Sequence, residues 1–122
     1  MNLSFSSLMI GAEDAKKLGE FYAKVFGKPA DMADEENAWW GWSVGAGYVM
    51  VGTHSEVKGM SKEPQRLIFN FETKEVQTEF DRIVAAGATV VKAPYSMGPN
   101  NLIATLADPE GNYFQLSTPW NN

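Results

Sequence analysis

The chain has 122 residues, 44 % of them hydrophobic, which suits one domain with a single core and argues against disorder. The net charge is −5 with no run of Lys or Arg, so nucleic acid is not an expected partner, because such binding rests largely on neutralising phosphates. The absence of cysteine excludes disulfides, thiolate zinc sites and cysteine nucleophiles.

In chain order, "LSFSSLMI" (3–10) alternates loosely and predicts a strand. The opening stretch has no basic n-region, and Glu13 and Asp14 interrupt its apolar run. Neither a signal peptide nor a membrane span is expected, and a cytoplasmic protein is. "EDAKKLGEFYAKVFGKP" then changes period: Ala15, Leu18, Phe21, Tyr22, Val25 and Phe26 recur at helical spacing, with Lys16, Lys17, Glu20 and Lys24 outside. Asp14 is the expected N-cap, Gly27 the left-handed residue past the end, and Pro29 prevents continuation.

"DMADEEN" reads as a polar loop. "AWWGWSV" and "YVMVGT" read as two strands joined at "GAG". "HSEVKGMSKEPQ" carries no periodicity and reads as a linker. The pattern then restarts. "RLIFNFE" predicts a strand, and "TKEVQTEFDRIVAAG" a helix with Val76, Phe80, Ile83 and Val84 inward, Thr73 as cap and Gly87 past the end. "ATVVKAP", "NLIATLAD" and "NYFQLST" predict three more strands, while "GKPADMA" stands in the first half where "ATVVKAP" stands in the second. Strand, helix, Gly stop and three strands thus occur twice, about sixty residues apart, as a duplicated half-domain would require.

"FYAKVFGKP" after a strand, paired with the terminal "DPEGNYFQL", resembles the vicinal oxygen chelate superfamily of glyoxalases, extradiol dioxygenases, fosfomycin-modifying enzymes and bleomycin-resistance proteins. The resemblance implies an α+β fold of two tandem βαβββ modules, with sheets curled around a cavity, usually in a homodimer. One domain over 1–122 is expected, with modules at about 1–55 and 64–118 and a linker at 56–63. The motif residues also have plain structural roles. Asp108, Pro109, Glu110 and Gly111 are turn formers, and Phe21 and Tyr22 suit core packing.

In the superfamily, metal-chelating side chains point from the strands into the cavity. By resemblance, those positions fall on Ser7, Met50, Arg66 and Gln115. Alternation adds Phe5 and Met9 beside Ser7, Ile68 and Asn70 beside Arg66, and Tyr113 and Ser117 beside Gln115. That donor set suits no hard divalent ion, which wants carboxylate or imidazole. No metal or other cofactor is therefore expected. His54, the only histidine, is expected in a solvent-facing loop. No motif places a serine on a strained elbow with a base behind it.

Trp40 and Trp42 share a strand face opposite Trp39. They suit either a surface for a planar ligand or a packed core or interface. Arg66, if buried, would need an anionic partner such as a ligand carboxylate. Three functions stay open: metal-free binding of a small organic molecule, planar or anionic, by a homodimer; a lyase, isomerase or dioxygenase of the superfamily; and an interaction module with a vestigial cavity.

Overall fold

The computed structural model describes residues 2–119. The chain divides into two compact units between Gly59 and Met60. The first contains β1 (Ser7–Ala12), α1 (Ala15–Phe26), β2 (Met32–Asp34), β3 (Trp39–Val44) and β4 (Gly47–Thr53). The second repeats that order with β5 (Phe69–Glu72), α2 (Val76–Ala85), β6 (Thr89–Ser96), β7 (Leu102–Ala107) and β8 (Tyr113–Ser117). Each unit is a four-stranded sheet with one helix, in the orders β1-β4-β3-β2 and β5-β8-β7-β6. In both, the first strand runs parallel to the last and the other pairings are antiparallel.

The first helix forms where its caps and period place it. The Asp14 carboxylate accepts the Lys17 N–H at 3.1 Å, and Gly27 ends the helix at φ 71° with its N–H donating to the Ala23 and Lys24 carbonyls. Leu18, Tyr22 and Val25 are buried against the sheet, and Tyr22 stacks on Phe26 at 5.7 Å. The second helix buries Val76, Phe80 and Ile83, while Val84 is half-buried. Its N-cap is Glu75, which makes no side-chain cap. Thr73 acts two residues earlier, its hydroxyl accepting the Glu75 N–H at 3.0 Å.

Three strand boundaries differ from the sequence expectation. Strand β1 starts at Ser7, leaving Phe5 outside it and 88 % exposed. Its parallel partner β4 begins its contacts at Tyr48, so residues before Ser7 have no ladder to join. Strand β5 starts at Phe69 for the same reason: its register on β8 opens with Phe69 opposite Phe114, leaving Arg66, Leu67 and Ile68 in the preceding loop. The polar "DMADEEN" stretch is not only loop, because β2 occupies Met32–Asp34. Asp31 explains it. Its carboxylate accepts the Ser43 N–H at 2.7 Å and the Lys28 ammonium at 2.9 Å, and its N–H donates to the Gly41 carbonyl. Asp34 closes the following turn by accepting from both the backbone and the side-chain amide of Asn37. Side-chain hydrogen bonds, not apolar alternation, hold this edge.

The "DPEG" segment is a turn, as its residue types require. Asp108 is 2 % exposed, and its Oδ1 accepts the N–H groups of Glu110 and Asn112 at 2.9 and 3.0 Å. The Asn112 side-chain amide donates to both carboxylate oxygens, and Gly111 turns the chain at φ 83°.

Candidate functional site

In the first unit, α1 packs on one face of the sheet. A Cβ placed on Gly19 of α1 would lie 3.5 Å from the Trp40 indole, and Trp42 meets Phe26 edge-on at 5.6 Å. Trp42 is 1 % exposed, and its Nε1–H donates to the Lys28 carbonyl at 3.2 Å. Trp40 and Trp42 therefore face the helix. They do share a face, as alternation requires, but they do not lie on the side of Ser7 and Met50.

The opposite, helix-free face carries Ser7 and Met9 from β1, Tyr48 and Met50 from β4, and Trp39 from β3. Directly paired residues share a face: Met9 is opposite Met50, and Gly41 opposite Met50 on the other side. Two glycines make room on this face. A Cβ on Gly52 would collide with the Trp39 indole, and one on Gly41 would collide with the Tyr48 ring. Both aromatic rings thus lie down on the backbone of a neighbouring strand, where glycine permits the approach. The result is a half-buried aromatic surface with two thioethers beside it. His54 follows β4, exposed, and its Nδ1 accepts the Glu56 N–H at 3.1 Å. A Cβ on Gly11 would come 3.1 Å from the His54 Cβ, so the histidine borders this same face.

In the second unit, Phe69 and Phe71 pack with Phe114, which is wholly buried with Leu106 and Ala104 on the α2 side. Asn70, Tyr113 and Gln115 are then on the other face. Asn70, Gln115, Thr105 and Lys92 stand in register across all four strands. The Gln115 amide donates to the Thr105 hydroxyl at 3.2 Å, and the Lys92 ammonium sits 4.4 Å from the centroid of the Tyr95 ring. The row is polar from edge to edge. Gln115 is thus hydrogen-bonded within this row, beside a Thr105 that is itself buried, on the face opposite Phe114.

The remaining site candidates lie outside the strands. Arg66 lies in the loop before β5 with its side chain 71 % exposed, paired with the exposed Glu63 at 3.0 Å. A solvated guanidinium with a local partner demands no ligand anion, so that ground for an acidic ligand is gone. Ile68 is half-buried in the same loop, and Phe5 precedes β1. Sequence reasoning did not assign Trp39 and Tyr48 to the site. The two-residue turn Gly45–Ala46 was a usable signal, since it pairs Val44 with Gly47 and so puts Trp39 and Gly41 on the face of Met50.

The metal that the superfamily implies does not fit these residues. Ser7, Met50 and Gln115 offer a hydroxyl, a thioether and an amide, and Arg66 brings a cation. Among the described residues no three His, Cys, Asp or Glu side chains come together as a metal-binding group. Two carboxylates, neither within that set, are held below their ordinary range: Asp31 by the Ser43 N–H and then Lys28, and Asp34 by the Asn37 side chain and backbone.

A doubled βαβββ unit with one helix on each four-stranded sheet defines the glyoxalase and bleomycin-resistance class of fold. A family model described as a glyoxalase-like domain matches residues 7–117, and the chain belongs to that family, within the vicinal oxygen chelate superfamily. Among solved structures, a glyoxalase-related enzyme from Fulvimarina pelagi aligns at TM-score 0.77 and 17 % identity, covering 95 % of this chain and 88 % of that one. A glyoxalase/bleomycin resistance protein from Albidiferax ferrireducens T118 aligns at TM-score 0.73 and 21 % identity, covering 94 % and 98 %. A glyoxalase/bleomycin resistance protein/dioxygenase family enzyme from Burkholderia phytofirmans PsJN reaches 27 % identity at TM-score 0.68, covering 93 % and 96 %. A comparison with curated proteins found no match.

Proposed function

We propose that this protein binds a small planar organic molecule on the helix-free face of its first sheet, without a metal. The observation that carries the reading is the pair of rings laid flat on glycine. Trp39 on Gly52 and Tyr48 on Gly41 present π surface, and Met9 and Met50 supply a polarisable, adaptable border. Flat aromatic surface with few polar groups selects ring shape and area over charge. Ser7 and His54 at its margin provide the hydrogen bonds that would orient a ligand.

A metal-dependent lyase, isomerase or dioxygenase receives less support, because the donor set described above suits no hard divalent ion. An interaction module with a vestigial cavity is the remaining alternative, and the ligand screen below separates the two. We further infer a homodimer. The superfamily resemblance supports that reading, and Leu3, Phe5 and Leu67, each at least 80 % exposed, are available for such a contact. No helix among the described residues is long and apolar enough to cross a membrane.

The test is a thermal-shift and fluorescence screen of planar aromatic compounds against the full chain. A genuine ligand at one hundred times its Kd adds about 2.7 kcal/mol of stability. Trp39→Ala, in a protein that still melts cooperatively, should remove the effect. Hits that survive both Trp39→Ala and Tyr48→Ala would place binding elsewhere and sink this reading.

A further inference from the structure

On the other side of the first sheet, between α1 and the chain that follows it, lies a hollow of about 210 Å³ floored by Trp40. We propose that this hollow is a second binding site, for a small organic ammonium ion. It faces away from the aromatic platform and does not depend on it.

Three features carry the proposal. The first is a bare indole. Trp40 is only half-buried although it lies under a helix, because the residues around it are small: Gly19 and Ala23 one turn apart on α1, and Ala30 beyond its end. The second is Gly19 itself. Mid-helix glycine destabilises a helix relative to alanine, yet an alanine Cβ here would make only ordinary contact with the ring, at 3.5 Å. Sterics do not require the glycine, and its effect is to keep the indole face open.

The third is charge. Glu20 from α1 and Glu35 from the turn after β2 line the hollow, and among the described residues neither carboxylate makes a hydrogen bond or ion pair. Lys16 is the one cation on the rim, which leaves the lining net negative in a chain of net charge −5. An indole face is the best side-chain surface for a cation, and flanking carboxylates strengthen the attraction. Anions would be repelled. A hard metal ion would find no oxygen shell on an aromatic floor. The volume is below that of a drug-sized pocket and suits an ammonium carrying a few carbon atoms.

The experiment titrates the full-length protein with choline and, in parallel at constant ionic strength, with 3,3-dimethylbutan-1-ol, its uncharged carbon isostere. The indole N–H signal of Trp40, assigned with Trp40→Phe, is followed by NMR. Choline should shift that signal and bind roughly 2- to 30-fold more tightly than the alcohol. Glu20→Gln and Glu35→Gln, both at exposed positions, should weaken choline and leave the alcohol unchanged. Gly19→Val should abolish binding of both, its methyls covering the ring. Equal affinity for the two probes would overturn the proposal, as would a Trp40 signal unmoved at tens of millimolar choline. A choline response unaltered in both glutamine variants would do the same. Because the signal read is that of Trp40, failure here leaves the reading of the Trp39 face standing.

Discussion

The two sheets share an order of strands and a placement of the helix, yet the middle rows of their helix-free faces differ in chemistry. The first is aromatic and thioether-rich, with Trp39 and Tyr48 resting on Gly52 and Gly41. The second is a polar row, Asn70–Gln115–Thr105–Lys92, tied by the Gln115–Thr105 hydrogen bond. Their last hairpins differ too. Strands β3 and β4 join through Gly45 and Ala46, whereas β7 and β8 join through a longer turn organised by the buried Asp108. The lesson is that the repeat conserves what packs under the helix and leaves the other face free to diverge. Core positions must fill a fixed volume, while face positions need only alternate.

That contrast can be broken first at the turns. Asp108→Ala should cost about 2–4 kcal/mol in urea unfolding, since two backbone N–H groups and the Asn112 amide lose their acceptor in a buried place. Gly45→Ala, at φ 58°, should cost only about 1 kcal/mol. Equal losses would mean that the carboxylate is not what holds the second hairpin.

Next comes the aromatic face. Gly52→Val should lift the Trp39 ring from the sheet at a cost of about 1–3 kcal/mol, with a red-shifted tryptophan emission. A substitution with neither consequence would show that the ring does not lie on this strand.

A smaller effect is expected on the polar face. Gln115→Ala and Thr105→Ala should each cost about 0.5–1.5 kcal/mol, and their double-mutant cycle should return a coupling near that of one neutral hydrogen bond. Strict additivity would leave that hydrogen bond without energetic content.

The smallest effect concerns pH. Asp31 and Asp34 have folded pKa values below their ordinary value, so their contribution is present above that value and lost as pH falls through the depressed ones. Acid should therefore loosen β2 before the rest of the first unit, seen as early exchange of the Ser43 and Asn37 amides below the usual carboxylate range. Asp31→Asn should flatten the response at Ser43. An unchanged profile would detach β2 from these carboxylates.

The sequence by itself determined both helices, their glycine stops, the Asp108 turn and the membership of the whole chain in one superfamily. Each of these depends on residues close together: a period of 3.6 from Ala15 to Phe26, a cap three residues before its amide, a turn of four. The strand faces within β1, β4 and β8 followed from the superfamily resemblance, extended by alternation. Only the tertiary structure decided three other matters. Arg66 falls outside β5 because a strand lasts only as long as its partner, and β8 offers no pairing before Phe114. Strand β2 exists because Asp31 reaches Ser43 across twelve positions, which no local pattern displays. Trp40 and Trp42 face the helix, and Trp39 the open side, because β3 inherits its face from its register on β4, and register is a property of two strands rather than one.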